Sequence, residues 1–432
     1  MNKKKAIING NLFMENEFKK GDILINDDRI EEVLLSGSRN NDYEGYEIID
    51  AENGYTSYGF IDPHVHFRCP GNEHKEDWHT GSRAAINGGF TFVIDMPNNK
   101  PAATNAEILR LKNNLAKATG INYGFYIGLT DSNCDDIDKT VISLVNEGIP
   151  VYGIKVFLGS STGDLLVQNN ISIDKSLRTG LINLFHCEDE ITLEKFKNIE
   201  YVSVLDHHKH RPPVAEVNGV KRIIEAAGLC KDSAKIYICH VSSKELFDEI
   251  IDYKDQGFDI ISEITPHHLY FNLENIDDSQ IFKVNPPIRP AVDAVYLQHK
   301  FDEGLFDVIG TDHAPHLMSE KKSVPAPSGM PGLETCFYAL YDMYKRNIIS
   351  LEKIFELLTS GYKIFGIQDR GKIEKNSFAD ITIIKNKPNV IRSDLTETKA
   401  DFTPYEGLKT DCMVDAVLIN GNIRKIDGKM IN

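Results

Sequence analysis

Tryptophan occurs once in this chain, and no segment reaches the run of about 18 apolar residues that a membrane-crossing helix needs. The start, Met-Asn-Lys-Lys-Lys-Ala-Ile-Ile-Asn-Gly, is basic but has too short an apolar stretch for a secretory signal, so none is expected. The seven cysteines form no C-x-x-C pair and are odd in number, which excludes a disulfide framework and fits a reduced, cytoplasmic protein. Basic charge is also short. With 48 Lys and Arg against 64 Asp and Glu, the formal net charge of −16 lacks the basic footprint of a nucleic-acid binder. The acidity is read as solubility, not as a sign of a partner. No glycine-rich segment is followed by Lys-Ser or Lys-Thr, which removes a phosphate-binding loop. What remains is the composition of an ordinary soluble globular protein, with no nucleic-acid or membrane partner expected.

What the chain does have is histidine at strand ends. Gly59-Phe-Ile-Asp-Pro-His-Val-His-Phe-Arg68 reads as an apolar strand closing on His64 and His66. Residues i and i+2 of a strand share a face, so two imidazoles can reach one metal ion. Alone, such a pair is more often solvated or a satisfied core pair than a metal site. Three later apolar runs end in a ligand-competent residue as well: Leu181–His186, Lys235–His240 and Phe306–Asp312, with His313 and His316 beyond. Runs closing in this way describe strands whose C-terminal ends converge, the face on which a (β/α)8 barrel builds its site.

The spacing agrees. Strands are predicted near 59–66, 91–96, 122–129, 151–158, 181–186, 235–240, 259–264 and 306–311. Helical patterns such as Asn105–Ala118, Val217–Ala227 and Leu351–Leu358 lie between or after them. Residues 1–56 and 367–432 are β-rich at both ends, including Gly371-Lys-Ile and Val414–Ile423. They are expected to pack as one small composite β-sandwich domain around a barrel of residues 57–366. The fold class is therefore α/β, a TIM-like (β/α)8 barrel with an accessory β domain, which suits 432 residues. Segments 160–180 and Leu317–Gly332 read as polar loops at the catalytic rim.

Lys155, inside the apolar run Tyr152–Gly159, admits two readings. One is a buried lysine paired with a carboxylate. The other is a neutral amine that adds carbon dioxide, becoming a two-oxygen anion able to bridge two ions; burial favours the neutral amine. On the second reading His64, His66 and Asp312 hold one ion, His186 and His240 the other, and carboxylated Lys155 with hydroxide bridges them. Such a donor set suits zinc. Asp312 would then serve as the catalytic base and acid in hydrolysis of an amide. Asp62 and Glu263 are candidates for orienting the imidazoles. His207, His208 and His210 read as a solvated basic patch, His74, His79 and His299 as surface residues, and Trp78 and Cys187 as packing.

With these motifs the chain resembles the amidohydrolase superfamily and, within it, the dihydroorotases. The resemblance runs over essentially the whole length. It includes His64-Val-His-Phe-Arg68, Asp95-Met-Pro-Asn-Asn-Lys-Pro101, Gly153-Ile-Lys-Val-Phe157, His186-Cys-Glu-Asp189, Lys283-Val-Asn-Pro-Pro-Ile-Arg289, Gly310-Thr-Asp-His-Ala-Pro-His316 and Gly332-Leu-Glu-Thr335. It implies interconversion of N-carbamoyl-L-aspartate and L-dihydroorotate, with two zinc ions. By the same resemblance Arg68, Asn98, Asn285 and His316 contact substrate, and Pro331 and Gly332 offer backbone groups to the ring. Allantoinases share the metal frame but lack arginine at Arg68, and dihydropyrimidinases take an uncarboxylated ring; both stay as alternatives, as does a catalytically silent partner of a pyrimidine enzyme. Many long bacterial dihydroorotases have Asp where Lys155 stands. A homodimer, and association with another pyrimidine-pathway enzyme, are further expectations.

Overall fold

In the computed structural model, which describes residues 4–36, 43–160, 165–228 and 230–431, eight apolar runs become eight parallel strands. They are Phe60–Val65, Phe90–Asp95, Asn122–Gly128, Val151–Phe157, Ile182–His186, Lys235–Ile238, Asp259–Ile264 and Val308–Ile309. Each pairs with its neighbours in chain order. The ring closes where Val65 bridges His313 in parallel and the His66 N–H donates to the His313 carbonyl at 2.8 Å. All six residues of the first strand are buried, as expected when helices cover a parallel sheet and side chains fill its interior. Ile61, Phe92, Ile94, Tyr126, Leu184 and Tyr237 cluster inside the barrel.

Side-chain caps start several of the helices that follow the strands. Asp77, Asn105, Asp189 and Ser243 each accept a backbone N–H of the first turn. The chain can therefore turn sharply just beyond each site-bearing strand end. The helix predicted at Val217–Ala227 begins earlier, at Pro213, because proline suits a first helical position, where its missing N–H is not needed. Gly219 of that helix lies against the fifth strand's exit: a Cβ there would stand 1.6 Å from the Cys187 carbonyl oxygen.

Strands from both chain ends form one nine-stranded mixed sheet. Tyr55–Tyr58 joins them, pairing parallel to Lys4–Met14 and antiparallel to Ile381–Lys385. Ile7, Leu12, Ile23, Ile381 and Leu418 are buried in its core. Gly371-Lys-Ile lies outside the strands, its glycine at φ +75° in a turn. Segment 160–180 is not a loop throughout, since Asn170–Leu177 is helical; residues 161–164 lie outside the described ones. No helix among the described residues is long and apolar enough to cross a membrane.

Candidate active site

The C-terminal ends of the strands enclose a pocket lined by His64, His66, Arg68, Asn98, Lys155, His186, His240, Asn285 and Asp312. Each of these was singled out from the sequence. Phe157, Ala314, Ser328 and Gly329 complete the wall. The first strand stops at Val65, so Arg68 does not reach the pocket along a continuing strand. It gets there through a left-handed turn, with φ +61°. His240 (φ +39°) and Asp312 (φ +47°) are left-handed too. Such backbone is uncommon for these residue types and is kept where surrounding structure enforces it.

Ligand-competent atoms converge in two groups. His64 Nε2 and His66 Nε2 lie 3.3 and 3.0 Å from Asp312 Oδ1. His186 Nδ1 lies 3.0 Å from His240 Nε2. Side chains behind orient the rings: Glu263 Oε1 bonds His64 Nδ1 at 2.8 Å and Asn98 Oδ1 bonds His66 Nδ1 at 2.6 Å. Glu263 also accepts the Tyr237 hydroxyl at 2.7 Å and the His240 N–H at 2.7 Å, so one carboxylate ties together three strand ends. Asp62 takes a different part from Glu263. It accepts the backbone N–H groups of His64 and Thr311, fixing the closing strands and not an imidazole.

The electrostatics favour a cation between these groups. Burial opposes charge on His64, but the Glu263 and Asp312 carboxylates raise it to about 10. Burial alone would raise Asp312; the imidazoles of His64 and His66 instead hold it well below the carboxylate range. His66 is pushed down to about 4, chiefly by burial, and His240 well below its usual value for the same reason. His240 Nδ1 is buried without a hydrogen-bond partner. Imidazoles beside an ionised carboxylate are the donors a divalent metal takes, a metal displacing the proton that His64 otherwise keeps, and one atom from each of His64, His66 and Asp312 lies within 4.8 Å of the others.

Lys155 is buried, with Nζ 3.0 Å from Cys239 Sγ and 5.0 Å from the Phe157 ring centre. No carboxylate pairs with it among the described residues. The structure thus lacks the ion pair that one reading of this lysine required.

Three other sequence-derived residues sit outside the pocket wall. His316 stands behind Arg68, 3.3 Å from Nη2, and holds the Ser328 carbonyl at 3.1 Å. The Gly332 N–H donates to His313 Nδ1 at 3.1 Å, and Pro331 and Gly332 line a small separate void behind the site. The backbone facing the pocket is instead at Ser328 and Gly329. The histidine cluster also differs from the solvated patch expected of it. His207 is buried and bonds Asn285 Oδ1 at 2.8 Å, and burial lowers it to about 3. Trp78 and Cys187, read as packing, are core, and His74 and His79, read as surface residues, are exposed.

Sequence reasoning missed the Glu188–Arg211 pair. Glu188 Oε2 lies 3.0 Å from His186 Nε2, and Arg211 grips the same carboxylate through Nη2 at 2.6 Å and Nε at 2.9 Å. The signal was present at i+2 from His186, yet its meaning depended on where Arg211 arrives.

Comparisons with known proteins agree with this geometry. The amidohydrolase family model matches residues 57–424. A dihydroorotase from Fusobacterium nucleatum is 32% identical, covering 98% of this chain and 99% of its own. One from Pyrococcus furiosus is 31% identical over 97% of this chain and 92% of its own. Among solved structures, an L-hydantoinase (dihydropyrimidinase) from Arthrobacter aurescens superposes with a TM-score of 0.90 at 21% identity, covering 100% of this chain and 98% of its own. A dihydropyrimidinase from Brevibacillus agri gives 0.87 at 25% identity, covering 99% and 96%. The convergent histidines, the closed barrel and these full-length similarities lead to one conclusion: the chain belongs to the amidohydrolase family, among its dihydroorotase-like cyclic amide hydrolases.

Proposed function

We propose that this protein is a zinc-dependent dihydroorotase, reversibly closing N-carbamoyl-L-aspartate to L-dihydroorotate in pyrimidine biosynthesis. The observation that carries the reading is Arg68. Its guanidinium is buried at the pocket beside the histidine cluster, bonded to the Pro315 carbonyl at 3.3 Å, with no ion pair to a carboxylate among the described residues. A buried arginine without an internal acid is suited to a carboxylate brought by the substrate, and dihydroorotate carries one while dihydropyrimidines do not. The full-length dihydroorotase relatives support the same choice.

His64, His66 and Asp312 would hold one zinc ion, and His186 and His240 a second, with carboxylated Lys155 between them. Bound there, zinc supplies Lewis acidity and a lowered pKa for its water. The chain's own groups do the rest. Arg68 anchors the substrate carboxylate. The Asn98 and Asn285 oxygens are engaged by His66 and His207, which leaves their amide nitrogens to donate to the ring. Asp312, ionised across the working pH range, accepts the proton of the attacking water and delivers it to the leaving ring nitrogen. Ring closure runs the same transfers backwards.

The test is turnover of L-dihydroorotate by zinc-loaded protein in bicarbonate, next to allantoin, dihydrouracil and hydantoin. Selective turnover of dihydroorotate that chelation abolishes supports the proposal. Preference for an uncarboxylated ring would move the protein to a sister activity and remove the Arg68 assignment.

A further inference from the structure

The mechanism leaves several buried cations unused, and one of them stands beside the pocket wall. Lys321, 1% exposed, forms no ion pair among the described residues. Its Nζ donates to three backbone carbonyls, Lys283 at 3.0 Å, Pro327 at 3.0 Å and Gly329 at 2.9 Å. An ammonium has three N–H donors, and here each has an acceptor. Burial, with Lys283 and Arg68 nearby, lowers the amine to about 7, so its position opposes its charge.

These acceptors belong to the two segments that form one side of the pocket. Lys283 precedes Asn285 by two residues, and Pro327 and Gly329 flank Ser328. The Gly329 N–H donates to the same Lys283 carbonyl at 2.9 Å, and Lys283 Nζ donates to the Ala326 carbonyl at 2.7 Å. Gly329 has φ +134°, and a Cβ there would stand 2.5 Å from the Ala314 carbonyl oxygen, so the strap lies tight on the barrel rim. From the strap the contacts run inward. Lys75 donates to His316 Nδ1 at 3.2 Å, which leaves the Nε2–H to donate to the Ser328 carbonyl at 3.1 Å; in this tautomer the Arg68 Nη2 group 3.3 Å away is a packing neighbour of the ring and not its hydrogen-bond partner.

We propose that Lys321 is a positioning residue for substrate recognition: by gathering three carbonyls it folds residues 317–330 into a strap whose Ser328 carbonyl sets His316 against Arg68. The kinetic part rests on the dihydroorotase reading above; the structural part does not. Lys321 touches neither the metal-competent cluster nor the reacting atoms. Its loss should therefore weaken substrate binding and leave the chemistry and the metal in place.

The experiment compares zinc-loaded wild-type protein with Lys321→Met and Lys321→Gln. Measured are KM and kcat for L-dihydroorotate, zinc content, and amide hydrogen exchange across 317–330. Lys321→Met is expected to raise KM about tenfold or more while kcat stays within about threefold, the pattern of lost uniform binding. Zinc content should be unchanged, and the Gly329 amide should exchange faster. Lys321→Gln, whose amide can still donate to two of the carbonyls, should fall between; it also serves if the methionine variant does not fold. An unchanged KM with unchanged exchange overturns the proposal, as does a parallel loss of kcat and zinc, which would make Lys321 a general structural support. If wild-type protein does not turn over dihydroorotate, the functional reading fails, and the exchange measurement decides the role of Lys321 by itself.

Discussion

Arg68 and Lys155 are the same kind of residue at first sight, long cations buried in one pocket, and their surroundings give them different expected behaviour. Arg68 rests on a carbonyl and an imidazole edge. Replacing it with methionine keeps the bulk and removes the charge that, on the proposed function, holds the substrate carboxylate. We expect KM for dihydroorotate to rise by about 100-fold, the weight of a charged hydrogen bond of about 1.5–3 kcal/mol. Zinc content, read by atomic absorption, should not change. Lys155 lies against a thiol and a phenyl ring instead of an acid. Lys155→Ala is expected to lose nearly all activity and part of its zinc, with partial rescue by a short carboxylic acid. Full activity without rescue would remove the bridging anion from the mechanism. Behind these residues, Glu263→Gln should weaken zinc affinity by about 10–100-fold, as loss of a ligand-orienting carboxylate does; competition with a chelator measures it.

Among the elements, the helix Ala106–Ala116 shows how a barrel's outer layer holds its site. Lys112 points inward from it, fully buried, with Nζ 2.7 Å from Asp95 Oδ2, 2.7 Å from the Met96 carbonyl and 2.8 Å from Asn99 Oδ1. Asp95 in turn accepts the Phe67 N–H at 2.8 Å, and the Asn99 amide bonds the Cys69 carbonyl at 2.5 Å. One lysine thus joins a helix to the exits of the first two strands, on both sides of Arg68. Removing one member of a buried pair leaves the other charge uncompensated, at a typical loss of about 3–5 kcal/mol. Lys112→Met should lose about that much in urea denaturation, whereas Lys139→Met, at an exposed pair with Asp136 that solvent screens, should leave the unfolding midpoint nearly unchanged. Equal effects would refute the account of this helix. The strand periods were readable in advance because a buried parallel strand is a continuous apolar run. The Lys112 contact was not, since a lysine among helical residues reads as a solvated face.

For the molecule as a whole, stability depends on groups far from the pocket. Glu334 is buried where the barrel meets the segment leading into the terminal sheet, accepting the Asn87 amide at 2.7 Å and the N–H groups of Glu397 at 2.8 Å and Thr398 at 3.2 Å. Burial raises its carboxyl to about 7 from a usual 4.5. Between those values the folded state holds a proton that the unfolded chain has released, so the stability contributed by this group falls as pH rises from about 4.5 to 7. The difference in unfolding free energy between wild-type and Glu334→Gln protein should therefore change across that window, by at most roughly 3 kcal/mol, and level off above it. A flat difference curve would show that the carboxyl titrates as it does in the unfolded chain.

The amino-acid order by itself determined the strand sequence, the barrel class and the residues at the strand ends, because these follow from local periodicity and from side-chain alternation along a strand. It also carried the motifs shared with amidohydrolases, from His64 to Gly332. Tertiary structure decided what stands behind and between them. His207 reads as part of a solvated run, yet folding buries it against Asn285. Pro331 and Gly332 carry a family motif, yet the strap brings Ser328 and Gly329 to the pocket instead. Glu188, Arg211, Cys239 and Lys321 acquire roles only through partners distant in sequence. The physical reason is common to all of these. A strand's period is set by its own backbone, whereas burial, ion pairing and the pKa of a group depend on which distant segments close around it.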